Sequence, residues 1–65
     1  MDPNACLDLV VSAVEKEDFS AALDHFRDLG EWRAKGGFAP TWTAARRKAV
    51  DALKKKVPAA RKIHV

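Results

Sequence analysis

The sequence lacks the features on which several large classes of protein depend. Its single cysteine, Cys6, excludes an internal disulfide and argues against the small secreted scaffolds that disulfides stabilise. No run of about 18 apolar residues is present, so we expect no membrane-spanning helix. The apolar stretch 6–14 follows Asp2 and no basic segment, which argues against a signal peptide. These absences favour a cytoplasmic protein.

Few side chains are available for catalysis or for binding a metal. There is no tyrosine, and the only histidines are His25 and His64. Cys6 belongs to an apolar stretch, where a thiol packs as a small hydrophobe, so a Cys6–His25 nucleophile pair is the less favoured interpretation. One cysteine and two distant histidines provide none of the paired spacings of tetrahedral metal sites. We therefore expect neither enzyme activity nor a cofactor.

Charge is distributed unevenly along the 65 residues. Residues 1–40 contain eight acidic and four basic side chains, a net charge of −4, whereas residues 41–65 contain eight basic side chains and one acid, Asp51, a net charge of +7. The overall charge of +3 therefore conceals a cationic C-terminal third. Such asymmetry indicates an acidic partner and says little about the fold.

Hydrophobic periodicity predicts three helices, at about 3–16, 18–35 and 42–57. No segment shows the alternation of a half-buried strand. The predicted fold is therefore all-α, a small three-helix bundle or array, in which residues 1–57 form a single helical domain. Residues 58–65 are predicted to be a basic C-terminal tail.

Capping residues support these helix boundaries. Asp2 and Asp18 stand at the starts of the first two helices, and either Thr41 or Thr43 stands at the start of the third. Pro58 is expected to end the third helix, because the residue before a proline is disfavoured in helical conformation.

Two glycine positions affect how the helices are joined. We expect the second helix to fray or kink near Gly30, unless that glycine serves instead as a small residue that lets a neighbour approach closely. The Gly36-Gly37 segment is short enough to make the second and third helices antiparallel neighbours.

The apolar face of the first helix covers an arc of about 200° on a helical wheel. One neighbouring helix cannot cover such an arc. We therefore expect this helix either to lie between two others or to leave part of its apolar face free, where a second copy of the chain could bind through Leu9, Val11 or Ala13. The predicted core consists of Leu7, Val10, Val14, Phe19, Leu23, Phe26, Leu29, Trp42, Ala49 and Leu53.

The basic third helix and tail suggest contact with an acidic partner, most plausibly nucleic acid. The candidate phosphate-binding residues are Arg46, Arg47, Lys48, Lys54, Lys55, Arg61 and Lys62. No Asn or Gln lies in or near this helix to read base edges, so any such binding should be mostly non-specific. The alternative is a solvated lysine-rich face that aids solubility.

A second hypothesis is a protein-interaction adaptor that uses Trp32 and Phe38, because tryptophan is a favoured anchor at interfaces. These rings could equally plug the end of the bundle together with Trp42.

The acids of the second helix also admit two interpretations, a solvated face or a group that neutralises part of the basic helix. They are Asp24, Asp28 and Glu31.

Overall fold

The computed structural model describes residues 1–65 and contains three α-helices and a terminal 3-10 helix, with no strand. The helices are α1 (Pro3–Glu15), α2 (Phe19–Ala34), α3 (Ala44–Lys56) and the 3-10 helix Pro58–Lys62. The predicted all-α, three-helix fold is confirmed, with helix ends within two residues of the predicted ones. None of the helices combines the length and apolar character needed to cross a bilayer.

Each α-helix begins at a predicted capping residue. The Asp2 carboxylate accepts hydrogen bonds from two amides in the first turn of α1, and that of Asp18 accepts one in α2. The Thr43 hydroxyl caps α3, so Trp42 precedes the helix in which it was predicted to lie. Pro58 follows the end of α3 as predicted.

Helix α1 lies between α2 and α3 and makes most of the contacts between helices. This arrangement is the first of the two that its wide apolar face predicted. Helices α2 and α3, which the short Gly36-Gly37 segment predicted to be antiparallel neighbours, contact each other at few positions. The reason is that residues 35–43 run past the N-terminal end of α1, where the Thr41 amide donates to Asn4 Oδ1 at 2.7 Å.

The core is formed at the surfaces where α1 faces the other helices. Six predicted core residues are buried: Leu7, Val10, Phe26, Leu29, Ala49 and Leu53. The other four are half-buried and pack around this core: Val14, Phe19, Leu23 and Trp42. The prediction missed the smaller buried residues Cys6, Ala13, Ala22, Val50 and Ala60.

The C-terminal segment 58–65 is packed on the domain, whereas the sequence predicted a separate tail. Ala60 is fully buried, and the side chains of Ile63 and Val65 pack against the core. Helix α2 continues through Gly30 without the predicted interruption, and a Cβ atom there would lie 2.6 Å from Ile63 Cγ2. Gly30 is therefore the site of a close approach, which was the alternative interpretation.

Candidate nucleic-acid interface

Helix α3 separates an apolar face from a basic one. Ala49, Val50 and Leu53 are buried, whereas residues 47, 48, 51, 55 and 56 are exposed. Residue 51 is four positions from residues 47 and 55 and three from residue 54, so these four residues lie within an arc of about 100° on one side of the helix. This side carries most of the predicted phosphate-binding residues of α3.

Two shallow grooves on this side join into one surface. Trp42, Arg47, Val50, Asp51 and Lys54 line the first groove. Asp51, Lys54, Lys55 and Arg61 line the second. Because Asp51 and Lys54 belong to both, the two grooves are continuous, and we call them together the basic groove.

Arg61 reaches the basic groove through a contact with the end of α3. Its Nε donates to the carbonyl oxygen of Lys54 at 3.1 Å. Carbonyls in the last turn of a helix have no intrahelical partner, and the helix dipole favours a cation there. The two remaining guanidinium nitrogens make no hydrogen bond within the protein, so the charge of Arg61 stays available beside Lys54.

Arg46 does not belong to this surface, contrary to the prediction from sequence. Its guanidinium forms a bidentate pair with the Asp8 carboxylate, at 2.9 and 3.1 Å, and its Nη1 donates to Asn4 Oδ1 and to the Thr41 carbonyl. The side chain is only 16% exposed. Four of its five N–H groups therefore have partners inside the protein, and its charge is paired with Asp8.

The Asp8–Arg46 pair also changes the ionisation of both groups. The hydrogen bond from Arg46, together with its positive charge, lowers the pKa of Asp8. The same hydrogen bond and the negative charges of Asp8 and Asp2 raise the pKa of Arg46. Both shifts favour the charged forms, as expected for a bidentate pair.

Two further cations lie away from the basic groove. Lys48 lines a different groove, between α1 and α3, together with Glu15. Lys62 lies beside α2, in a groove that also contains Glu31. Of the seven predicted residues, the structure thus brings together four: Arg47, Lys54, Lys55 and Arg61.

The acids of α2 do not neutralise this groove by direct contact. The Asp8–Arg46 pair is the only ion pair within 4.0 Å in the protein. Asp24 and Asp28 are exposed and make no ion pair with α3. Their interpretation as a solvated helix face is therefore favoured.

The aromatic loop is held by contacts of its own. Trp32 Nε1 donates to the Phe38 carbonyl at 3.1 Å, and the two rings meet edge to face with their centroids 5.8 Å apart. Gly37 lies directly against the Trp32 ring, where no side chain would fit. Trp32 is thus partly buried by its own loop, whereas the Phe38 ring is 63% exposed.

The Cys6 thiol is a packed group. Its Sγ donates to the backbone carbonyl of His25 at 3.3 Å, and the His25 imidazole is not its partner. Burial, with a further contribution from the charge of Asp28, raises the pKa of Cys6 and so disfavours the nucleophilic thiolate. No three His, Cys, Asp or Glu side chains come together as metal ligands would.

The sequence matches no protein-family model, and neither the curated proteins nor the solved structures gave a significant match. The geometry of the chain itself is therefore what bears on function.

The predicted site residues did not include three members of the basic groove, Trp42, Val50 and Asp51. Trp42 was assigned to the apolar stripe of α3, although a cap at Thr43 places it outside the helix. Asp51 was counted only as the single acid of the C-terminal third. Its position four residues after Arg47 and four before Lys55 is the signal that places it among the cations.

Proposed function

We propose that this protein is a small non-enzymatic module that binds nucleic acid through the basic groove, without strong sequence specificity. The observation that carries the proposal is the continuous surface formed by Arg47, Lys54, Lys55 and Arg61. None of these four side chains forms an ion pair. Their charges are therefore available to a polyanion.

Nucleic acid is the acidic partner that an extended row of cations suits best. Arg47 and Lys55 are two helical turns apart, about 12 Å along the axis, and Arg61 extends the row beyond the end of the helix. Phosphates on a strand repeat at intervals of several ångströms, so such a row follows a backbone. Four phosphate contacts give a slope of about −3.6 for the logarithm of affinity against the logarithm of salt on duplex DNA.

The lack of sequence specificity follows from the side chains that are available. The only carboxamide in the chain is that of Asn4. Its Oδ1 accepts hydrogen bonds from the Thr41 amide and from Arg46, and Asn4 lines neither part of the basic groove. Carboxamides are the usual readers of adenine, so contacts here are mainly to phosphates.

A salt titration with charge-matched variants tests the proposal. The double substitution Lys54→Gln and Lys55→Gln should lower affinity for DNA and reduce the salt slope by about 2 between about 50 and 200 mM salt. Lys16→Gln with Lys35→Gln removes the same charge at exposed positions outside the groove and should leave the slope unchanged. Absence of binding at about 50 mM salt, or equal losses in both variants, would contradict the proposal.

A second candidate function is protein interaction through the aromatic loop, favoured by the 63% exposure of Phe38. Phe38→Ala should then abolish partner binding that the double lysine variant retains.

Of the α1 residues predicted to contact a second copy, Leu9 is the best placed, because it is 51% exposed. Ala13 is buried, and Val11 lies about 160° from Leu9 around the helix. A concentration series of Leu9→Ser and the parent in sedimentation tests that contact.

A further inference from the structure

The basic groove ends at an aromatic ring. Trp42 is half-buried and lines the groove together with Arg47 and Lys54. Its indole N–H makes no hydrogen bond within the protein, whereas that of Trp32 is bonded to the Phe38 carbonyl. Of the two tryptophans, Trp42 is therefore the one that stands among cations with an unused donor.

The backbone on both sides of Trp42 is held in place. The Thr41 amide donates to Asn4 Oδ1, and the Thr41 carbonyl accepts from Arg46 Nη1, each at 2.7 Å. On the other side, the Thr43 hydroxyl caps α3. These contacts fix the backbone that carries the ring at the rim of the groove, which reduces the conformational entropy lost when a ligand binds there.

We propose that the basic groove binds single-stranded nucleic acid, with an unpaired base stacked on Trp42 and the adjoining phosphates on Arg47 and Lys54. This inference rests on the proposed function and deepens it. In a duplex each base face is covered by its neighbours, so a ring fixed at the rim of a groove has no base to contact. In a single strand the base faces are free, and stacking on an aromatic ring is tolerant of sequence.

The acid in the groove is consistent with a base at this position. Asp51 lies between Arg47 and Lys54 along the helix and lines both parts of the groove. A carboxylate repels a phosphate, so the phosphates are held at the cations on either side of it, Arg47 and Lys54. The space beside Trp42 and Asp51 is then left for the uncharged part of a nucleotide.

The test compares a fluorescent thymidine dodecamer, whose bases stack weakly on one another, with the same strand annealed to its complement. At about 50 mM salt the single strand should bind at least about 5-fold more tightly than the duplex. Trp42→Leu should weaken single-strand binding by about 5- to 20-fold, with little change in its salt slope. Trp42→Phe, which keeps an aromatic face, should retain most of the affinity.

A measurement that leaves Trp42 in place guards against a loss of folding. In Trp32→Phe protein the remaining tryptophan emission comes from Trp42, and it should be quenched on addition of the thymidine dodecamer. Circular dichroism of each variant monitors the helical fold.

The outcomes separate the two proposals. If neither strand form binds, the proposed nucleic-acid function is overturned, and the single-strand inference with it. If both forms bind equally, without quenching and without an effect of Trp42→Leu, the stacking inference is overturned while the function stands.

Discussion

Arg46 and Arg47 are neighbours with identical side chains, yet they occupy different environments. A step of about 100° around the helix turns Arg46 toward α1 and leaves Arg47 in the basic groove. Arg46 joins α1, α3 and the segment before α3, because its partners are Asp8, Asn4 and Thr41. Its hydrogen bond to the Thr41 carbonyl holds the backbone next to Trp42, which lines the basic groove together with Arg47.

The Asp8–Arg46 pair predicts a pH-dependent stability. Its hydrogen bond lowers the pKa of Asp8 in the folded protein below the unfolded value of about 3.9. The stabilisation is therefore complete above about pH 4 and is lost as the pH falls through the lower folded-state pKa. Asp8→Asn should remove this part of the acid sensitivity, measured as the free energy of unfolding in urea from about pH 6 down to pH 2.

Asp24→Asn is the matched control for this measurement, since Asp24 is exposed and forms no ion pair. Its unfolding free energy should follow the pH dependence of the parent. An Asp8→Asn variant that loses stability in acid as steeply as the parent would show that the pair does not contribute to folding.

The contact between α2 and the C-terminal segment depends on the absence of a side chain at Gly30. Ile63 occupies the space that a Cβ would take, with its Cγ2 2.6 Å from that position. Ile63 is β-branched, so its Cγ2 methyl lies close to the backbone and cannot swing away freely. The same approach brings the segment against the core, where Ala60 is fully buried.

A double-mutant cycle should reveal this contact. Gly30→Ala overpacks the site, which lowers the free energy of unfolding by about 1–3 kcal/mol. The higher helix propensity of alanine raises it by only about 1 kcal/mol, so the substitution should not stabilise the parent protein. In an Ile63→Ala background the clash is removed, and Gly30→Ala should then stabilise the protein. The free energy of unfolding in urea for the four proteins measures the coupling.

If Gly30→Ala changed the free energy of unfolding in the same direction in both backgrounds, the result would contradict the close approach of Ile63 to Gly30. It would also weaken the conclusion that residues 58–65 belong to the domain.

The features that sequence could predict are those decided by nearby residues. Asp18 and Thr43 each cap an amide three positions away, so composition and spacing sufficed to place the helix starts. The Arg46–Asp8 pair joins residues 38 positions apart and depends on how α1 and α3 are oriented. Periodicity carries no information on that orientation, which is why Arg46 was grouped with the free cations.

Small buried residues and the packed C-terminus escaped prediction for a related reason. Alanine has little apolar surface, so the predicted core did not include Ala22 or Ala60, yet both are fully buried because a neighbouring element approaches closely. The groove members Trp42 and Arg61 lie outside α3 and reach it only through the turns at its two ends. Four of the seven residues that line the basic groove were predicted from the sequence, but only the structure shows that they share one surface.

Small size makes the chain as a whole sensitive to single core substitutions. A domain of this length has a stability of about 3–5 kcal/mol, and loss of a buried phenylalanine side chain costs about the same. Phe26 is 1% exposed, so Phe26→Ala should leave the protein largely unfolded at 25 °C by far-UV circular dichroism. Phe38→Ala, the same change at an exposed ring, should retain the parent helicity; equal losses in the two variants would contradict this core.

The uneven charge of the chain leaves one acid within the cationic surface. Asp51 lines both parts of the basic groove and forms no ion pair. Its charge repels any phosphate held at Arg47 or Lys55, and at about 0.1 M salt the repulsion extends about 10 Å. Asp51 therefore limits the affinity of the basic groove for a polyanion, although the four cations of the groove keep its net charge positive.

Asp51→Asn should strengthen binding to the thymidine dodecamer by about 2- to 5-fold at about 50 mM salt, and the gain should shrink as salt is raised. Asp24→Asn makes the same change of net charge on α2, outside the basic groove, and should have little effect. The two variants differ only in where the negative charge is removed. The ratio of their affinities for the dodecamer therefore reports whether the strand lies near Asp51. Equal gains would show that net charge alone attracts the strand and that it does not lie in the basic groove.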